Sequence, residues 1–107
     1  MTLHYTYKVT WSKEDKAHIG LCVEFPSLSW IASDETAAFD GIRKVVQKVV
    51  QDMQNSGEEV PVPIAERKFS GKFSARISPS LHRELTLQAA EQNISFARLV
   101  REKLAAV

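Results

Sequence analysis

Lys72, Ser74 and Arg76 alternate with Phe73, Ala75 and Ile77, so an extended chain carries two long cations and a hydroxyl on one side and three apolar groups on the other. Cations and a small hydroxyl in that order suit the edges of nucleic-acid bases, where Lys or Arg addresses guanine and a hydroxyl is less selective. Further along, Ser95 precedes Phe96, Ala97 and Arg98. A serine there caps a helix start. Arg98 in that first turn opposes the helix macrodipole, by about 0.3–1 kcal/mol at an exposed site, unless an anion docks nearby.

The elements that must position these groups follow from local signals. Ser78 with Pro79 behind it starts a helix, because proline at the first position forfeits no helical hydrogen bond. Leu81, Leu85 and Ala89 line one side of it, and Gln92-Asn93 closes it, with Asn93 suited to positive φ. Phe96, Leu99, Val100 and Leu104 form the stripe of a second helix. Residues 71–105 therefore read strand, helix, helix. A lone strand leaves both edges unpaired and two short helices supply little core, so this part needs a second copy. Two chains pairing their strands antiparallel about a two-fold axis satisfy the backbone. Phe73, Ala75, Ile77, Leu81, Leu85, Phe96, Leu99 and Val100 then form a shared core, and Lys72, Ser74 and Arg76 emerge together. Such a two-stranded ribbon fits the major groove of DNA.

The first part of the chain reads differently. Tyr5, Tyr7, Val9 and Trp11 alternate with polar residues, and after the polar run Ser12–Lys16 a second alternation places Ala17, Ile19, Leu21, Val23 and Phe25 opposite His18, Gly20, Cys22 and Glu24. Leu28, Trp30 and Ala32 offer a third strand. The expected product is an antiparallel meander with one apolar face, with Trp11 and Trp30 in its core. Ala38, Phe39, Ile42, Val45, Val46, Val49, Val50 and Met53 then recur at helical spacing, with Ser33 or Asp34 as cap and Gly57 as terminator. Val60-Pro61-Val62-Pro63 reads as a stiff link, and Ile64 to Phe69 as a fourth, edge strand.

The fold expected is α+β: a small antiparallel βββα(β) domain over 1–65 and a βαα dimerisation module over 66–107. The charge divides at the same place. Residues 1–65 carry six Lys/Arg against nine Asp/Glu, a balance of −3, whereas residues 66–107 carry eight against four, a balance of +4. A basic small half suggests a polyanion and an acidic half a basic partner. One cysteine, Cys22, allows no intrachain disulfide and no Cys-rich zinc module. With no apolar run near ~18 residues and no basic-then-apolar leader at Met1–Tyr5, the expectation is a cytoplasmic protein without membrane contact.

Catalysis finds little support. Metal-dependent hydrolysis on a small sheet needs convergent carboxylates, yet His4 to Ser12 holds no acid and Glu24, Asp34, Glu35, Asp40 and Asp52 are scattered. His18 and Cys22 share a side of the second strand, with His4 able to lie across, but spacing of that kind is a weak metal signal and reads as surface histidines and a buried thiol. No catalytic residue, metal or cofactor is expected.

The segment Lys72-Phe73-Ser74-Ala75-Arg76-Ile77 and the two helices after it resemble the ribbon-helix-helix DNA-binding family. That resemblance implies base contacts from Lys72, Ser74 and Arg76 and phosphate contacts around Ser95, Phe96 and Arg98. With the βββα part in front, and Phe25-Pro26-Ser27-Leu28 similar to a Phe-Pro-Asp/Glu-Leu turn, nearly the whole chain resembles the HicB family of antitoxins. Ser29-Trp30-Ile31 departs from the Pro-Gly-Cys that often follows that turn. The resemblance implies an incomplete ribonuclease-H-like N-terminal domain that binds and neutralises a HicA-like ribonuclease toxin. It also implies a C-terminal domain that binds double-stranded operator DNA as a homodimer or tetramer and represses its own operon. An orphan regulator, whose N-terminal domain senses a ligand or another protein, is the alternative.

Overall fold

The structure, a computed structural model, describes residues 4–107. The chain divides between Phe69 and Ser70 into two units. In the first, alternation gives β1 (Tyr7–Ser12), β2 (Ala17–Cys22) and β3 (Ser29–Ala32), an antiparallel sheet in the order β1-β2-β3. The register sets Tyr7 beside Cys22, Val9 beside Gly20 and Trp11 beside His18, and continues with Gly20 beside Trp30 and His18 beside Ala32.

One long helix, α1 (Glu35–Asn55), packs on this sheet. Asp34 caps it, accepting the Ala37 N–H at 2.8 Å. At the other end Gly57 turns left-handed, with φ 75°, and the Glu58 N–H reaches back to the Met53 carbonyl at 2.9 Å. Ile42, Val46 and Val50 close over Tyr5, Cys22 and Phe25, whose rings meet edge to face at 5.1 Å in the Tyr5–Phe25 pair. The stripe read from spacing is therefore the buried face, except that Phe39 stays 39% exposed against Tyr7.

The face of β2 that meets the helix is the opposite of the expected one. Gly20 and Cys22 face α1, and Ile19, Leu21 and Val23 face away. A Cβ on Gly20 would collide with the Ala38 carbonyl oxygen and the Ile42 side chain, so α1 lies against bare backbone there. Period-two alternation names two faces but cannot say which one a helix needs for close approach. Phe25 still reaches the core because the strand stops at Cys22 and a turn intervenes, closed by Phe25 N–H to Cys22 carbonyl at 3.2 Å.

Trp11 and Trp30 are not core residues: they are 57% and 46% exposed. α1 begins its burial at Ala38, over the Gly20 row, and leaves the Trp11–His18–Ala32 row uncovered. Trp30 rests on the backbone of Gly41, where any Cβ would strike the indole.

The fourth strand is replaced by a single 3₁₀ turn, Ile64–Glu66. Two prolines have no N–H to give a ladder, and the N–H of Ile64 is taken by Glu24 Oε2 at 2.9 Å. Glu24 also accepts from the Thr6 N–H at 2.9 Å and the Thr6 hydroxyl at 3.1 Å, while the Tyr5 hydroxyl donates to the Pro61 carbonyl at 2.7 Å. Side chains, not a strand, fasten the link to the sheet. No helix among the described residues is long and apolar enough to cross a membrane.

Burial works to raise the Glu24 carboxyl, but the hydrogen bonds from Ile64 and Thr6 outweigh it and hold the group below the ordinary carboxylate value. Its stabilising contribution is present above the unfolded-state value and is lost as pH falls through the depressed one. The melting difference between wild type and Glu24→Gln should therefore be constant near neutrality and shrink below about pH 4. A difference that grows on acidification would contradict this. Gly20→Ala should lower first-unit stability by about 1–3 kcal/mol, read as an earlier urea midpoint; an unchanged midpoint would show that α1 can move off the sheet without cost.

Candidate nucleic-acid interface

The second unit contains α2 (Pro79–Gln92) and α3 (Phe96–Ala105). Their boundaries arise as the sequence signals require. Ser78 Oγ accepts the Leu81 N–H at 3.2 Å with Pro79 at the first position, and Asn93 takes φ 56° to end the helix. Ser95 Oγ accepts the Arg98 N–H at 3.1 Å to start α3. The two helices pack through Ala89 and Leu99, both almost fully buried, and His82 meets Phe96 edge to face at 5.2 Å.

Ahead of α2, residues 72–77 belong to no sheet within the described chain, and all six are exposed. Lys72, Ser74 and Arg76 thus stand in solvent. Their apolar alternates do too: Phe73 is 71% exposed and Ile77 42%. Of the eight residues expected in a two-chain core, only Leu99 is buried by its own chain, with Leu85 and Val100 half-buried. Phe73, Ala75, Ile77, Leu85, Phe96, Val100, Lys103 and Leu104 line one open groove of about 440 Å³. The groove is mostly apolar, with a single lysine at its edge.

At the start of α3, the Ser95 hydroxyl is committed to the cap and its carbonyl accepts the Leu99 N–H. The N–H groups of Phe96 and Ala97 are the ones the helix leaves without a partner of its own. Arg98 has an internal partner: Glu102, one turn on, accepts its Nε–H at 3.0 Å. An anion is thus already supplied near Arg98, and its position in the first turn no longer requires an external one. With the two side chains 61% and 53% exposed, this pair is open to exchange with another anion.

In the first unit, Trp11 stacks edge-on to His18 at 5.0 Å, one row in from the Ser12–Ala17 pair that adjoins the β1–β2 turn, which carries Glu14 and Asp15. Ala32 of the same row leads to Asp34 and Glu35 at the start of α1. Arg43 lies 5.5 Å over the Phe39 ring. The histidines and the cysteine do not converge: His4 Nδ1 lies 2.8 Å from Glu66 Oε1, and Cys22 is buried with its thiol pushed up by that burial. Among the described residues no cluster of His, Cys, Asp or Glu could hold a metal ion.

The HicB family model matches residues 55–104, spanning the end of α1, the proline-containing link and almost all of the second unit. The match supports a HicB-family protein and is consistent with an antitoxin role in a toxin-antitoxin system. No curated protein and no solved structure matches the chain.

The capping analysis sets an expectation for the second unit. Ser95→Ala should remove about 1 kcal/mol from α3, seen as a loss of helical circular dichroism on mild heating that Ser95→Asp restores. Equal helicity in all three chains would show that packing at Leu99 alone holds the helix start.

Proposed function

We propose that this protein is a non-catalytic antitoxin that binds operator DNA through a two-chain ribbon built from residues 72–77 and neutralises a HicA-like basic ribonuclease through its first unit. One observation carries the DNA-binding half of the reading: Phe73, Ile77, Phe96 and Leu104 stand exposed around an open groove, and residues 72–77 have no sheet partner among the described residues. A second copy supplies both missing things at once, strand pairing for the backbone and a cover for the groove. Lys72, Ser74 and Arg76 of each chain then lie side by side on the outer face of the ribbon and read base edges. The free N–H groups of Phe96 and Ala97 take a phosphate, with Arg98 exchanging Glu102 for it.

The toxin-binding half draws on the family match and on charge. The acidic balance of the first part of the chain favours encounter with a basic nuclease, and the basic balance of the second favours encounter with DNA. Exposed Trp11 and Trp30 supply rigid apolar anchors of the kind that dominate such interfaces. The chain acts from the cytoplasm in this reading, as a homodimer or higher assembly.

The test is a salt titration of binding to the DNA upstream of its own reading frame, against a shuffled duplex. Arg76→Ala should cost about 1–3 kcal/mol on the native duplex and little on the shuffled one, whereas Arg98→Ala should weaken both alike. Equal losses on both duplexes for Arg76→Ala would remove it from base reading, and no preference of wild type for the native duplex would make residues 70–107 a pairing module alone.

A further inference from the structure

Between Glu66 and Glu84 the chain holds no carboxylate, yet it carries Arg67, Lys68, Lys72, Arg76 and Arg83. The ribbon reading uses Lys72 and Arg76 and leaves the run just ahead of them, residues 67–71, without a role. Every residue of that run is exposed. Arg67 is engaged, its Nε–H donating to the Val62 carbonyl at 2.9 Å. Lys68 has no ion-pair partner among the described residues.

The alternation of the ribbon continues upstream in the sequence, with Lys68 and Ser70 on the side of Lys72 and with Phe69 and Gly71 on the side of Phe73. The backbone does not follow it. Gly71 is left-handed, at φ 82°, and Ser70 Oγ accepts the Lys72 N–H at 3.1 Å. A paired strand needs extended φ and N–H groups free for its neighbour, so the ribbon begins at Lys72 and the chain turns out of line at Gly71. A Cβ at Gly71 would meet no atom within 4 Å, so this glycine serves the left-handed φ and not a close contact within the chain.

We propose that Lys68 of each chain binds a DNA phosphate beside the groove in which the ribbon lies, carried there by the turn at Gly71. The assignment rests on the ribbon reading above and adds a contact outside it. The major groove is about 12 Å wide, whereas α1 alone, at 21 residues, is about 30 Å long. The first unit therefore stays outside the groove, and the residues before Lys72 climb past the phosphates to reach it. The groove is about 8.5 Å deep and an extended chain rises about 3.3 Å per residue, so about three residues lead from base edges to the phosphate ridge. Lys68 stands four residues before Lys72, level with that ridge, in a stretch where no carboxylate of the sequence competes for it.

The experiment measures the affinity of the full chain for the upstream duplex and for its shuffled counterpart between about 50 and about 200 mM salt. Each neutralised phosphate contributes about 0.9 to the slope of log affinity against log salt. With one such contact per chain of a dimer, Lys68→Gln should lower the slope by about 1.8, so that its deficit against wild type shrinks about twelvefold across that range. The deficit should be the same on both duplexes, because a phosphate contact carries no sequence information. Lys68→Arg should keep the wild-type slope. Lys48→Gln, which removes the same charge from the exposed side of α1, should keep it too. An unchanged slope in Lys68→Gln, a loss confined to the native duplex, or an equal change in Lys48→Gln would each overturn the phosphate contact and leave the ribbon standing, provided wild type prefers the native duplex. A wild type without that preference would remove the ribbon, and the phosphate contact with it.

Discussion

At Gly20 the sheet has no side chain, and the backbone of α1 at Ala38 occupies the space one would fill. Much of the first unit follows from that close approach. It decides which side of β2 is inner, and so puts Cys22 in the core and Ile19, Leu21 and Val23 outside. It brings Ile42 and Val46 down to full burial. It also lets Trp30, in the same row, lie flat over Gly41 on the neighbouring strand's side of the helix. Two glycines, one on each element, thus set the separation and lateral position of helix and sheet, and both are places where any side chain has nowhere to go.

Glu24 performs the second organising task. A strand beside β1 would have fixed residues 61–66 with a ladder; prolines forbid most of one, and a carboxylate replaces it with bonds to Ile64 and Thr6. The arrangement stays near the surface, where water compensates whatever the prolines leave unpaired, and it buries no polar side-chain atom without a partner among the described residues.

Signals that act over three or four residues were legible in the sequence. Asp34, Ser78, Pro79, Asn93 and Ser95 each perform the capping role their chemistry suggests, because a cap needs only its own neighbours. The stripe of α1 was legible for the same reason. What alternation could not convey was the choice of face on β2, which Gly20 decides through a residue eighteen positions away, or the exposure of Trp11 and Trp30, which depends on where α1 begins to cover the sheet. The edge strand at Ile64 to Phe69 failed because Glu24 competes for the Ile64 N–H over a long sequence distance. In the second unit Lys72, Ser74 and Arg76 are as accessible as their spacing requires, whereas Arg98 was read without Glu102, although a Glu one turn after an Arg is itself a sequence signal.

The fastenings of the first unit join its two sequence ends: Tyr5 to Pro61, Glu24 to Ile64 and His4 to Glu66. This has a consequence for the order of events on the ribosome. The β1–β2 hairpin and its neighbour β3 pair residues close in sequence and can form soon after emerging, whereas the contacts that seal the unit wait for residues 61–66 to clear the exit tunnel. When they do, the helices of the second unit are still inside the tunnel. The first unit can be sealed before those helices are free to pack on each other, and the exposed segment 72–77 enters solvent attached to a body already folded.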